Sequence, residues 1–154
     1  MKSMNLERLS LGDMSELRID YLMEPRRWVL VVKVSGCYRP GSQGNSDARY
    51  IRAMVTAGLI AYDPVCLILD FSQLEYTWGN SLLGVFQDVD TLMNDPEEPE
   101  APAFPVSIVS GPDCHHALLS LTDTRSDTQP DWLFESLDEA MASSFIKGQQ
   151  WLDG

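Results

Sequence analysis

The residues best placed to do chemistry fall in one short turn, Tyr76-Thr77-Trp78-Gly79-Asn80-Ser81, between an apolar run and a helical repeat. An indole in such a turn offers large, rigid contact area to a protein partner, or it lids the core. Ser81 has its hydroxyl near a helix start. There it either receives a phosphate that free N–H groups and the helix dipole would hold, or serves as an ordinary cap. Asp70, at the end of the apolar run, is the best single carboxylate, although a lone acid there more often accepts hydrogen bonds from the turn that follows. Asp113-Cys114-His115-His116 offers four ligand types in a row. Adjacent helical residues point about 100° apart and cannot all reach one ion, so no metal is expected. The sequence has no Cys-x-x-Cys, His-Glu-x-x-His or Gly-x-Ser-x-Gly motif and no Gly-rich phosphate loop. The expectation is a chain that is not an enzyme and carries no cofactor.

The elements that must position this turn are legible on both sides of it. Residues 65–71 form a run interrupted only by Asp70, with the Val/Leu/Ile content of a central strand covered on both faces. After a connector over 72–80, apolar residues return at Leu82, Val85, Phe86, Val89, Leu92 and Met93, the spacing of one helix face. Asn80 or Ser81 can cap that helix. Upstream, residues 1–15 read as a loosely held arm. Leu17, Ile19, Tyr21 and Met23 alternate with polar residues, and Glu24-Pro25-Arg26-Arg27 joins them to a second apolar run over 28–34, giving a hairpin. Residues 37–45 read as a loop. A helix follows from Ser46, placed as a cap, and Asp63-Pro64 ends it.

Downstream, residues 94–105 hold Pro96, Pro99, Pro102 and Pro105 with Asp95, Glu97, Glu98 and Glu100. This is an acidic loop, either a mobile spacer or a binding element. A strand over 104–109, a short helix from Asp113 and a polar loop over 122–130 come next. Trp132-Leu133-Phe134 is a last short strand, and Ser136-Leu137-Asp138-Glu139 is a capping box opening the last helix. The order β-β-α-β-α-β-α-β-α predicts an α/β fold, a single mixed β-sheet covered by helices over residues 16–154.

At 154 residues the chain fits one domain. The net charge of −12 is lopsided: residues 1–52 hold nine Lys/Arg against six Asp/Glu, and residues 53–154 hold two against seventeen. Such a field repels phosphate backbones and anionic lipid, so neither nucleic acid nor a membrane surface is an expected partner, whereas a basic protein is. Cys37, Cys66 and Cys114, odd in number and widely spaced, read as reduced thiols of a cytoplasmic protein. Residues 1–30 show neither a secretory signal nor a membrane span.

With these elements laid out, the chain resembles a STAS domain of the anti-sigma-factor antagonist type over roughly residues 17–147. The resemblance rests on Val34-Ser35-Gly36 ending the hairpin, on Leu67-Ile68-Leu69-Asp70-Phe71-Ser72, on Leu82-Leu83-Gly84-Val85-Phe86, and on Leu133-Phe134-Glu135-Ser136-Leu137-Asp138-Glu139-Ala140. It implies a non-catalytic regulatory module. The residues expected to bind its partner are, from the position of the turn, Tyr76, Trp78, Asn80 and Ser81, and, from the charge, the acids Asp95, Glu97, Glu98 and Glu100, facing a basic partner. In the antagonists an Asp-Ser-Ser-Gly-like turn carries a phosphorylated serine. Here Trp78-Gly79-Asn80 intervenes, and Ser81, the one serine left at the turn, is the implied phosphorylation position. A second resemblance is to the N-terminal part of crotonase-like acyl-CoA enzymes, in which Gly79 would supply an oxyanion-hole amide. Size, sparse chemistry and concentrated negative charge also suit a toxin-neutralising immunity protein, which occludes a basic active site.

Overall fold

A computed structural model describes residues 3–125 and 130–154. Part of the polar loop expected over 122–130 therefore lies outside the described residues. Strands β1 (Arg18–Glu24), β2 (Val29–Cys37), β3 (Cys66–Glu75), β4 (Val106–Ser110) and β5 (Leu133–Phe134) form one sheet in the order β1-β2-β3-β4-β5. The β1–β2 hairpin is antiparallel and every other pairing is parallel. Helices α1 (Asn45–Tyr62), α2 (Leu83–Met93), α3 (His115–Leu121) and α4 (Leu137–Asp153) alternate with the strands in the order the sequence predicts.

The β3 run is apolar but for Asp70 because it is central and covered twice. Leu67, Leu69 and Phe71 face a core shared with Val55 and Leu59 of α1 and Val85 and Val89 of α2. Cys66 and Ile68 face the opposite core, closed by α4. Ala140, Ser144 and Gly148, four residues apart along α4, are all buried. Their small size lets the helix approach until the Cys66 Sγ–H reaches the Ser144 carbonyl at 3.2 Å. Burial there pushes the Cys66 thiol pKa up to about 11, so it is protonated and inert at neutral pH.

β4 starts two residues later than expected, at Val106, and α3 starts at His115 after Cys114 with no side-chain cap from Asp113. Three further differences have a local reason. β3 continues four residues past Phe71, because Gln73, Leu74 and Glu75 pair with the far end of β2 and Leu74 points inward between two exposed neighbours. Neither Asn80 nor Ser81 caps α2 with its side chain. The first free amides instead bond backbone carbonyls three residues back: Leu83 to Asn80, Gly84 to Ser81 and Val85 to Leu82. Helix α1 likewise starts at Asn45 without a side-chain cap, led in by a 3₁₀ turn over Gly41–Gly44. The two other stop and start signals behave as their chemistry dictates. Asp63 takes the left-handed conformation that ends α1, and the Ser136 hydroxyl accepts from the Glu139 amide at the head of α4.

The root of the N-terminal arm is pinned. Ser15 donates its hydroxyl to Asp47 in the first turn of α1 at 2.6 Å, and Arg39 reaches both Asp47 and the Met14 carbonyl. Among the described residues, no helix is long and apolar enough to cross a membrane.

Candidate functional site

Parallel strands β2, β3 and β4 end on the same side of the sheet, so the connections leaving them gather along one edge. The turn over 76–81 leaves β3 there and meets the 3₁₀ turn that follows β2 and the side of α3 that follows β4. Together they bound a crevice of about 430 Å³ lined by Gly41, Asn45, Trp78, Asn80, Ser81 and Ser120, among others.

Two buried tyrosines fix the shape of the turn. The rings of Tyr38 and Tyr76 meet edge to face, centroids 5.1 Å apart. From that anchor the Tyr76 hydroxyl donates to the Gly79 carbonyl at 2.6 Å, while the Tyr38 hydroxyl shares a 2.6 Å hydrogen bond with Ser81 Oγ. The backbone of Tyr76 is held as well, its N–H bonded to the Asp113 carbonyl. Trp78 lies outward, 62% exposed, its ring edge across Gly41. That packing needs a glycine: a Cβ on Gly41 would sit 2.7 Å from the indole, and its φ of +63° is one that side chains disfavour. Gly79, at φ +130°, lets the chain double back beside Gly41.

Of the residues singled out from sequence, Tyr76, Trp78, Asn80 and Ser81 thus share one crevice. Tyr76 is its buried support, Trp78 and Asn80 are exposed, and Ser81 is partly covered. Asp95, Glu97, Glu98 and Glu100 lie elsewhere. They follow the C-terminus of α2, about 16 Å of helix away, at the opposite edge of the sheet where β4 begins. The loop carrying them is folded into consecutive turns, with Glu98 N–H bonded to the Asp95 carbonyl and Ala101 N–H to that of Glu98. Asn94 Oδ1 accepts from the Phe104 amide at 2.7 Å, and the Phe104 ring packs on Trp151. All four acids are exposed.

Asp70 is buried and accepts from both the amide and the hydroxyl of Ser72, at 3.0 and 2.6 Å, which occupies it with the chain that follows. Cys114 turns inward and donates to the Phe71 carbonyl. Among the described residues, no three His, Cys, Asp or Glu side chains converge as a metal site would require. One cluster escaped the sequence reading: Ser110 Oγ is 2.7 Å from His115 Nδ1, and Glu135 lies 3.9 Å from the same nitrogen. A nucleophile–base–acid relay needs its serine and its carboxylate on different ring nitrogens. The arrangement here orients the imidazole and does not activate the buried serine.

Burial raises the Tyr76 pKa to about 12, with the neighbouring Tyr38 adding to the shift. Burial also raises Tyr38, partly offset by its bond to Ser81. For a group whose folded pKa is raised, stability is fully present below the unfolded value near 10 and is lost as pH climbs toward the folded one. The tyrosinate absorbance of the native protein should therefore include a late step near pH 12 that Tyr76→Phe removes. A titration complete by about pH 10.5 would contradict the buried anchor.

No family model and no curated protein matches the chain. Among solved structures it is similar to the crystal structure of an anti-sigma factor antagonist from Mycobacterium paratuberculosis, at 23% sequence identity and a TM-score of 0.46. That similarity covers 82% of this chain and 94% of the other.

Proposed function

We propose that this protein is a non-catalytic regulatory module of STAS-like type that works in the cytoplasm by docking a basic protein partner at the 76–81 turn. The observation that carries this reading is Trp78, a large aromatic left mostly in water on a turn whose own support is rigid and buried. Exposed indoles on preorganised loops make effective interface anchors, because little conformational freedom is lost when a partner covers them. Asn80 adds an exposed amide beside Trp78. Ser81, bonded to Tyr38, is the position where phosphorylation would act, since a phosphate there replaces that bond and adds charge to the crevice rim.

The acids Asp95, Glu97, Glu98 and Glu100 serve a different purpose in this reading. Standing apart from the turn, they add to the long-range field that draws in a basic partner and do not pack in the contact itself.

Crosslinked pull-down from the native cell, followed by identification of the captured protein, supplies the partner for the test. Trp78→Ala should then weaken binding by about 2 kcal/mol or more while leaving the unfolding midpoint nearly unchanged. The association rate should fall as salt rises, because exposed charges are screened within about 8–10 Å at physiological ionic strength. Equal affinity of wild type, Trp78→Ala and Ser81→Asp would remove the turn from the interface.

A further inference from the structure

We propose that the protein self-associates through its N-terminal arm, the arm of each copy covering the outer face of α1 on the other. This rests on two uncovered apolar surfaces of the same chain. Met4, Leu6, Leu9, Leu11 and Met14 are between 64% and 81% exposed, an unusual concentration of large apolar side chains in water. The outer face of α1 is uncharged only in its second half. After Arg52 the helix has no charged residue, and Ala53, Thr56, Ala57 and Ile60 line the apolar part of an open groove of about 550 Å³ whose other end carries Arg49 and the Arg52–Asp88 ion pair. Ile60 is itself 66% exposed. A helix face destined for solvent is normally polar.

The dimensions of the two surfaces agree. The groove runs along residues 49–60 of α1, about 18 Å of helix. The free arm from Met4 to Leu9, if extended, spans about 20 Å. Leu11 borders the groove at its head, and Gly12 packs against Tyr50, so the arm is anchored where the groove starts. Its own copy nevertheless leaves the rest of the arm uncovered, which points to a second copy as the occupant. At roughly 60–120 Å² of apolar surface per side chain, Met4, Leu6 and Leu9 of two exchanged arms and the surfaces they cover would remove on the order of 700–1,400 Å² from water, which reaches the area of a small specific interface. A reciprocal exchange also closes on itself, each copy giving one arm and receiving one.

The test is sedimentation equilibrium on the full chain, alone and as two variants, Leu9→Glu in the arm and Ala57→Glu in the groove. Both positions are exposed within one copy, so both variants should fold, which circular dichroism verifies. Wild type should dimerise, and each variant should raise the dimer dissociation constant by about a hundredfold or more. Mixing the two variants should restore part of the association, because the Ala57→Glu chain supplies an intact arm and the Leu9→Glu chain an intact groove. A wild-type monomer at all concentrations overturns the proposal. So does a dimer indifferent to both changes, or a mixture no more associated than its components; a monomer whose arm is nonetheless shielded from solvent would mean that the arm straps its own helix.

Discussion

Asp47→Ala is expected to destabilise the fold by about 1–3 kcal/mol, the cost of leaving buried hydrogen-bond donors without their acceptor. The carboxylate side chain is 1% exposed and takes four bonds: from the Arg39 backbone amide at 2.9 Å, from Arg39 Nε at 3.1 Å and Nη2 at 3.3 Å, and from Ser15 Oγ at 2.6 Å. Its loss strands an amide and a hydroxyl and releases both the arm root and the lead-in to α1. The Arg39 side chain is 43% exposed and stays hydrated, so its charge adds no burial penalty to that cost. Burial alone would push the Asp47 pKa up, but the bonds from Arg39 and Ser15 outweigh it and hold the carboxyl below its usual value. A depressed pKa contributes stability that is present above the unfolded value near 3.9 and is lost as pH falls through the folded one. Urea unfolding at neutral pH should show the full loss, and the difference between wild type and Asp47→Ala should shrink as pH drops below about 4. A neutral-pH difference under about 1 kcal/mol would show that the cluster contributes little.

This cluster also marks where a sequence stops being readable. Ser15 and Asp47 are 32 positions apart, and nothing local to either names the other. The arm root is set by a pairing that only the hairpin and α1 together bring about. What could be read was what is encoded locally. The apolar run of β3, interrupted only by Asp70, announced a strand covered on both faces, Asp63-Pro64 a helix stop, and Ser136 with Glu139 a helix start, and each occupies that place in the fold. The end of β3 was hidden because Ser72, Gln73 and Glu75 look like a connector, and only pairing with the long β2 keeps them in the sheet.

The turn at the carboxyl edge was legible as a location, and its mechanics were not. From sequence, Asn80 and Ser81 look like caps; in the fold, Ser81 is turned toward Tyr38, a residue 43 positions earlier. Likewise the acidic loop and the turn are both assigned to the partner from sequence, but net charge has no address until topology supplies one. The path of the chain through α2 sends them to opposite edges of the sheet.

Tyr76 should separate the stability of the fold from the shape of the site. Tyr76→Ala empties a position that is 2% exposed and leaves the Tyr38 ring without its edge-to-face partner, so a loss of about 3–5 kcal/mol is expected, as for other large aromatics cut to alanine. Tyr76→Phe keeps the ring and removes only the bond to the Gly79 carbonyl, costing about 1 kcal/mol of stability. That bond, however, spans the turn that presents Trp78, and Gly79 is a residue whose backbone is free to take other conformations once released. Amide exchange over residues 77–81 should therefore quicken in Tyr76→Phe while the strands stay protected. If the turn is the docking surface, affinity for the partner should fall by more than the small change in unfolding free energy would explain, because the indole must then be ordered on binding. Unchanged exchange at these amides would mean that the ring packing, and not the hydroxyl, sets the turn. Unchanged affinity alongside faster exchange would mean that the partner binds elsewhere.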